Sequence, residues 1–154
     1  FHLELLSADV HLLGQRCVSP DRIVLFGLSL GGPVAAEVAV KRAAAGLILE
    51  GTFPAIQSMA DHHYLGLPAH WFVNVEFNLG HKVASLSIPV LVMHGEQDSI
   101  VPVSLGRQVF DAAREPKRWY GVAGAGHNDV PYVGGAAYYQ AFMNFIREIV
   151  PGKW

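Results

Sequence analysis

One stretch decides the fold of this chain: Ile23-Val24-Leu25-Phe26-Gly27-Leu28-Ser29-Leu30-Gly31. Its apolar first half is typical of a strand, and a segment typical of a helix follows from Pro33 to Ala43. A serine at a sharp turn between a strand and a helix is held in a strained conformation, with its hydroxyl exposed beyond the sheet. Gly-x-Ser-x-Gly also occurs by chance in loops, so the flanking strand and helix carry the prediction. Together they predict a nucleophile elbow with Ser29 at its tip.

Two later loops supply a base and an acid, which a serine hydroxyl needs because it is a poor nucleophile near neutral pH. The apolar strand Pro89–His94 runs into a loop that carries Glu96 and Asp98, and a later strand runs into a loop that carries His127. In a parallel sheet both loops emerge at the edge where the elbow lies, and active sites of open α/β sheets lie outside that edge. Asp129 follows His127 too closely to reach the far imidazole nitrogen, and we expect it to shape the loop. The chain order of serine, acid and histidine predicts a catalytic triad.

The chain resembles the C-terminal two-thirds of an α/β-hydrolase, and it is most similar to the small, nearly lidless branch of serine esterases and serine-aminopeptidase-like hydrolases. The resemblance rests on three blocks of sequence, namely 20–32, 89–102 and 124–129. It implies that Ser29 is the nucleophile, that His127 is the general base, and that Asp98 rather than Glu96 is the orienting acid. It also implies that the backbone N–H of Leu30 donates to the oxyanion.

The sequence departs from that family at its start. A family member has several strands before the elbow, and the loop after the third strand supplies the second oxyanion donor. Here residues 1–21 precede the first predicted strand, and 3–15 are typical of the single helix that leads into it. Loss of one oxyanion donor costs about 2.7–4 kcal/mol of transition-state stabilisation. We therefore expect a proteolysed or truncated piece of a longer chain, with a pair of copies or a weakly active remnant as the alternatives.

The alternation of strands and helices predicts an N-terminally incomplete α/β-hydrolase fold, with a mostly parallel sheet and flanking helices in a single domain, 1–154. Strands are predicted at 22–26, 46–50, 90–94 and 118–122, and helices at 3–15, 30–43, 103–114 and 135–149. The segment 52–87 is rich in aromatic residues and histidines, and we predict a small lid there. Phe53, Trp71 and Phe72 are its candidate substrate-binding residues. The alternative is a pair of helices that covers the sheet without contacting a ligand.

The composition fits a core that lacks part of its cover. Hydrophobic residues make up 51% of the chain and charged residues 16%, against an average near 25% for charged residues. No uninterrupted apolar run reaches the roughly 18 residues of a membrane span. The net charge of −2 excludes the basic surface that nucleic-acid binding requires. The first predicted strand would be an unpaired sheet edge, and such edges recruit partners. We expect that edge to bind a second copy of the chain or a missing N-terminal segment.

Neither a metal nor a cofactor is predicted. His62, His63 and His70 are close in sequence, but they lack the spacing that places two histidines on one helix face. His94 ends a strand and is typical of a structural histidine. The single cysteine, Cys17, is expected to be a small buried side chain. The first residues show no secretory signal pattern, and the sequence does not predict a compartment.

Ester hydrolysis is the first functional expectation, with a small-molecule ester as the substrate, because esters have good leaving groups. Peptide hydrolysis by an aminopeptidase-like mechanism is the enzymatic alternative. A catalytically silent remnant that serves as an interaction module is the alternative from a different class.

Overall fold

The computed structural model describes residues 18–63 and 78–152. Within them, four strands pair in parallel to form one sheet with the order β1-β2-β3-β4. The strands are β1 (Val24–Leu28), β2 (Gly46–Glu50), β3 (Val90–Gly95) and β4 (Lys117–Val122). The helices are α1 (Gly31–Lys41), α2 (Ile56–His63), α3 (Leu79–Ser85), α4 (Val103–Ala112) and α5 (Val130–Ile149). The predicted α/β class, a parallel sheet with flanking helices, is confirmed.

The two central strands, β2 and β3, are buried along their whole length. Apart from Glu50 and His94, their residues are apolar without alternation, as expected for parallel strands that helices cover on both faces. β1 lies at one edge of the described sheet, where Phe26 is 48% and Leu28 is 47% exposed. Within residues 18–63 and 78–152, the sheet is therefore well covered at its centre and has no strand paired to the outer edge of β1.

Helices cover the two faces of the sheet and form separate apolar cores. On one face, Leu47 and Leu49 of β2 lie in a core to which α1, α3 and α4 contribute. On the other face, Ile48 of β2 lies in a core to which α5 contributes. Because successive side chains of a strand point to opposite faces, one strand supplies both cores. This layering leaves the carboxyl ends of the strands free to carry the loops that hold the candidate site.

The observed bounds differ from the predicted ones mainly at the ends of elements. β2 has its predicted bounds, whereas β1 begins later than the predicted strand at 22–26, because Pro20–Arg22 forms a short 3-10 turn. α5 begins at Val130 rather than 135, since a first helical segment precedes a kink at Gly135 (φ 50°, ψ −139°). The helix predicted at 3–15 lies outside the described residues.

The predicted lid-like segment, 52–87, is described in part. The helices α2 and α3 lie within it, and 64–77 lies outside the described residues. The function of this segment as a lid over a substrate pocket stays a prediction. Among the helices of 18–63 and 78–152, none combines the length and the apolar character that crossing a bilayer requires.

Candidate active site

The turn between β1 and α1 places Ser29 at the carboxyl edge of the sheet. Ser29 has a φ of 51°, in the left-handed region that residues other than glycine rarely adopt. The turn is tight, since a Cβ atom at Gly27 would lie 2.7 Å from the carbonyl oxygen of Gly31 and 2.7 Å from Cα of Gly32. Those contacts are with backbone, which cannot move aside. Glycine at position 27 is therefore a steric requirement of this turn.

The end of β2 holds the serine in that strained conformation. The backbone N–H of Ser29 donates to the carbonyl oxygen of Glu50 over 2.8 Å. The hydroxyl of Thr52, which is fully buried, donates to the carbonyl oxygen of Ser29 over 3.0 Å. Backbone strain persists only where the surroundings hold it, and these two bonds satisfy both polar groups of the strained residue.

The side chains of Ser29, His127 and Asp98 form one hydrogen-bonded series. His127 Nε2 lies 3.0 Å from Ser29 Oγ, and His127 Nδ1 lies 2.6 Å from Asp98 Oδ2. An ionised carboxylate can only accept, so Nδ1 carries the hydrogen and Nε2 is free to accept the serine proton. These are the three residues that the sequence predicted, and the structure brings all of them together from three different loops.

The acid is held by its own loop as well as by the histidine. Asp98 Oδ1 accepts from the backbone N–H groups of Ile100, over 2.9 Å, and Val101, over 2.7 Å. The side chain of Asp98 is 0% exposed and that of His127 is 9% exposed. In such a shielded position a charged hydrogen bond is stronger than it would be in water. The carboxylate therefore orients the imidazole with little competition from solvent.

The rival carboxylates lie elsewhere. Glu96 is exposed, and its carboxylate borders Gly121. Asp129 accepts from the backbone N–H of Gly126 over 2.7 Å and so braces the loop that carries His127. Of the carboxylates weighed from the sequence, the structure thus pairs Asp98 with the imidazole.

The start of α1 lies beside the serine. Leu30 is the residue before the first turn of the helix, with φ −59° and ψ −22°. The N–H groups at a helix start have no partner within the helix, and the positive end of the helix dipole lies there. Leu30 is 64% exposed. The placement suits the oxyanion-donor role predicted for the Leu30 N–H.

Sequence analysis missed a buried pair of side chains next to the site. Tyr138 of α5 donates its hydroxyl hydrogen to Glu50 Oε2 over 2.6 Å, and Glu50 is 3% exposed. Burial raises the pKa of the Glu50 carboxyl above its ordinary value. The signal in the sequence was an acidic residue at the end of an otherwise apolar strand, but its partner is 88 residues away.

His94 is a second residue whose surroundings the sequence could not show. Its ring is completely buried, and Nε2 lies 2.8 Å from the carbonyl oxygen of Val101. Burial lowers the pKa of His94, which therefore favours the neutral form. The expectation of a structural histidine agrees with this hydrogen bond.

The predicted substrate-binding residues are placed only in part. Phe53 is buried beside Val101 and Leu105, next to the loop that carries the acid. Trp71 and Phe72 lie outside the described residues. The substrate-binding role of all three stays a prediction. Within the described part of the chain, no three His, Cys, Asp or Glu side chains come together as metal ligands would.

Comparison with known proteins finds relatives in sequence. No protein-family model matches the chain. It is similar to an uncharacterized protein of Mycobacterium tuberculosis (strain ATCC 25618 / H37Rv), with 38% identity over 142 residues that cover 92% of this chain and 50% of that protein. It is also similar to alpha/beta hydrolase domain-containing protein 17B of Xenopus laevis, with 24% identity over 92% of this chain and 47% of that protein. The chain spans about half the length of these curated relatives.

Solved structures show the same fold at lower identity. The esterase domain of a Rhodothermus marinus protein matches with a TM-score of 0.77 and 22% identity, over 98% of this chain and 70% of that chain. A puromycin-hydrolyzing peptidase of Mycobacterium tuberculosis matches with a TM-score of 0.78 and 18% identity, over 96% of this chain and 25% of that chain. At these identities the likeness concerns the fold.

Proposed function

We propose, given that this chain has the α/β-hydrolase fold, that it carries the catalytic centre of a serine hydrolase acting on carboxylic esters. The observation that carries the proposal is the hydrogen-bonded series Ser29–His127–Asp98 on a strained turn. The esterase and peptidase neighbours in fold support the broader class, a hydrolase. The chain spans about half the length of its curated relatives, so the activity of the whole protein is also a proposal.

The first half of the reaction acylates the serine. Ser29 Oγ attacks the ester carbonyl carbon while His127 Nε2 takes the hydroxyl proton, and Asp98 stabilises the imidazolium that forms. The carbonyl oxygen becomes an oxyanion, and the N–H of Leu30 at the helix start is the donor that we assign to it. His127 then gives its proton to the leaving alkoxide, which departs as an alcohol and leaves an acyl group on Ser29.

The second half returns the enzyme to its starting state. His127 takes a proton from a water molecule, and the hydroxide attacks the acyl carbon. The bond to Ser29 Oγ breaks, the serine regains the proton from His127, and the carboxylic acid leaves. The buried Asp98 stays ionised throughout, since its role is to orient and stabilise the imidazole rather than to exchange protons.

Peptide hydrolysis is the second candidate function. It is supported by the fold shared with the puromycin-hydrolyzing peptidase. An amide has a poorer leaving group than an ester and makes a larger demand on protonation by His127. We place esters first because they need less from the groups that this chain supplies.

Labelling with a fluorophosphonate tests the proposal directly, because this reagent reacts with activated serines. We expect the folded wild-type chain to be labelled. Labelling of Ser29→Ala should be lower by about tenfold or more, because the reacting oxygen is removed. Ser104→Ala is the matched control, since Ser104 is exposed near the start of α4 and should leave labelling unchanged.

Two results would contradict the proposal. Label retained on Ser29→Ala would show that another residue reacts. A folded wild-type chain that takes up no label would favour the catalytically silent interaction module instead.

A further inference from the structure

We propose that His94 is a positioning residue that holds the loop of Asp98 in place, so that the carboxylate faces His127. The proposal rests on the proposed function, since it concerns the acid of the same site. It assigns to a buried histidine outside the triad a role that packing alone would not require.

The ring of His94 contacts both the loop and the carboxylate. Its Nε2 lies 2.8 Å from the carbonyl oxygen of Val101 and 3.5 Å from Asp98 Oδ2. A carbonyl oxygen only accepts hydrogen bonds, so Nε2 must carry the hydrogen and donate it. The same N–H thus presents a positive partial charge to the oxygen that His127 Nδ1 also contacts.

Val101 connects the two groups. Its carbonyl oxygen accepts from His94, and its backbone N–H donates to Asp98 Oδ1 over 2.7 Å. If the Val101 carbonyl lost its donor, a buried polar group would be left without a partner, which is unfavourable. The loop would then rotate to reach another donor, and the N–H that holds Asp98 would rotate with it. His94 therefore acts on the acid through Val101, in addition to its own contact with Asp98 Oδ2.

The position of the His94 ring is fixed from two sides. A Cβ atom at Gly106 of α4 would overlap Nδ1, so the ring fits against the helix only because that residue is glycine. On another side the ring is nearly parallel to that of Trp119, with centroids 6.1 Å apart and planes at 12°. The guanidinium of Arg107 lies 3.8 Å from the centre of the Trp119 ring. These contacts confine the ring, and its bond to Val101 directs Nε2 toward the loop.

The protonation state is fixed as well. His94 Nδ1 is buried and has no hydrogen-bond partner within the described residues. A second proton on this nitrogen would be a buried donor without an acceptor. Burial also lowers the pKa of His94, while the nearby Asp98 carboxylate acts in the opposite direction. The ring stays neutral with its hydrogen on Nε2, which is the tautomer that positioning requires.

Two variants of similar length separate positioning from packing. His94→Gln places an amide N–H near the position of Nε2 and keeps a donor for Val101. His94→Met fills the same slot without any donor. Both are made in the full chain, and circular dichroism and urea unfolding establish that each is folded before it is compared. His94→Gln should retain the positioning of Asp98 that His94→Met loses.

Two readouts are compared in these variants. The first is hydrolysis of p-nitrophenyl acetate, in which we expect His94→Met to lower kcat by about 10- to 100-fold, the range found for outer partners of metal-bound histidines, with little change in KM. The second is the low-field proton resonance of the His127 Nδ1–H···Asp98 bond, which needs no catalysis. We expect this resonance to shift or vanish in His94→Met and to persist in His94→Gln.

Each outcome decides the proposal. A low-field proton resonance that is unchanged in His94→Met would overturn the proposal. An equal loss of kcat in both folded variants would also overturn it, because the loss would then not be caused by the missing donor. A wild-type chain without this resonance would also overturn it. If the resonance responds as expected while the wild type hydrolyses no ester, the positioning role stands and the proposed function fails.

Discussion

Strain at one residue and the bonds that hold it explain how the half-buried candidate nucleophile is positioned. A residue other than glycine in the left-handed region costs about 1–3 kcal/mol. Ser29 stays there because its N–H donates to the carbonyl oxygen of Glu50 at the end of β2, and its carbonyl oxygen accepts from the hydroxyl of Thr52, just after β2. The strain turns the hydroxyl toward His127, which lies within 3.0 Å. Local geometry thus prepares the oxygen for attack.

Asp98→Asn tests the orienting role of the acid. The amide oxygen can still accept from the N–H groups of Ile100 and Val101, so the loop should keep its shape. The amide nitrogen would then face His127 Nδ1 and favour the tautomer in which Nε2 cannot accept the serine proton. We expect kcat to fall by about 10³- to 10⁴-fold with the fold intact, measured by ester hydrolysis and circular dichroism.

Glu96→Gln is the matched control for that change, because Glu96 lies in the same loop but is exposed. Its kcat should stay close to that of the wild type. If Glu96→Gln lost activity while Asp98→Asn kept it, the acid would have to be reassigned to Glu96.

At the scale of elements, the bond between Glu50 and Tyr138 joins the end of β2 to α5. Glu50 pairs in register with Leu28 of β1, directly before the elbow, so the contact connects α5 to the strand ends that carry the site. Tyr138 follows the kink at Gly135, which divides α5 near the loop of His127. A buried carboxyl at such a junction makes the stability of the fold depend on pH.

Glu50→Gln should remove that dependence. The pKa of Glu50 is raised by burial above its ordinary value of 4.5, so the protonated carboxyl is favoured in the folded state. Its contribution to stability is therefore present below pH 4.5 and is lost as the pH rises through the folded-state pKa. We expect Glu50→Gln and wild type to have similar free energies of unfolding in acid, and the variant to become the more stable of the two as the pH rises.

Urea unfolding across this pH range measures the difference. Tyr138→Phe is the companion variant. It leaves the carboxyl without its donor and should lower the free energy of unfolding by about 1–3 kcal/mol. If the free energies of unfolding of Glu50→Gln and wild type differed by the same amount at every pH, Glu50 would not be the source of the pH dependence.

For the whole molecule, the β1 edge of the described sheet is the feature with the largest consequence. β1 lies at the edge of the described sheet, and its outer side chains include the half-exposed Phe26 and Leu28. Unpaired strand edges bind other strands unless charge, proline or a covering segment prevents it. Phe26 also contacts Phe142 of α5, with ring centroids 5.9 Å apart, so apolar surface continues from the edge onto the helix.

We predict that the 154-residue chain, studied on its own, self-associates through β1. Small-angle scattering should give a mass well above that of one chain. Phe26→Lys should lower that mass, because a charge on an edge strand opposes pairing. Val40→Lys is the control, since Val40 is equally exposed on α1. A monomeric wild-type chain would contradict the prediction.

The sequence by itself determined the four strands, the helices α1, α4 and α5, and the candidate triad, because the signals for these are local; it did not give the helices α2 and α3. Apolar runs predicted β2 and β3, and the pattern around Ser29 predicted the elbow, since turn geometry depends on a few neighbouring residues. Loops that follow parallel strands meet at one edge, so Asp98 and His127 could be placed near Ser29 without coordinates.

Only the tertiary structure decided which buried polar groups face one another. The bond from Tyr138 to Glu50 depends on strand register and on the kink in α5, and no local pattern encodes either. The contact of His94 with Val101 depends on a slot made by a glycine in one helix and a tryptophan in another strand. Partners distant along the chain are chosen by packing, because many side chains could satisfy a buried donor and only the assembled fold brings one of them within reach.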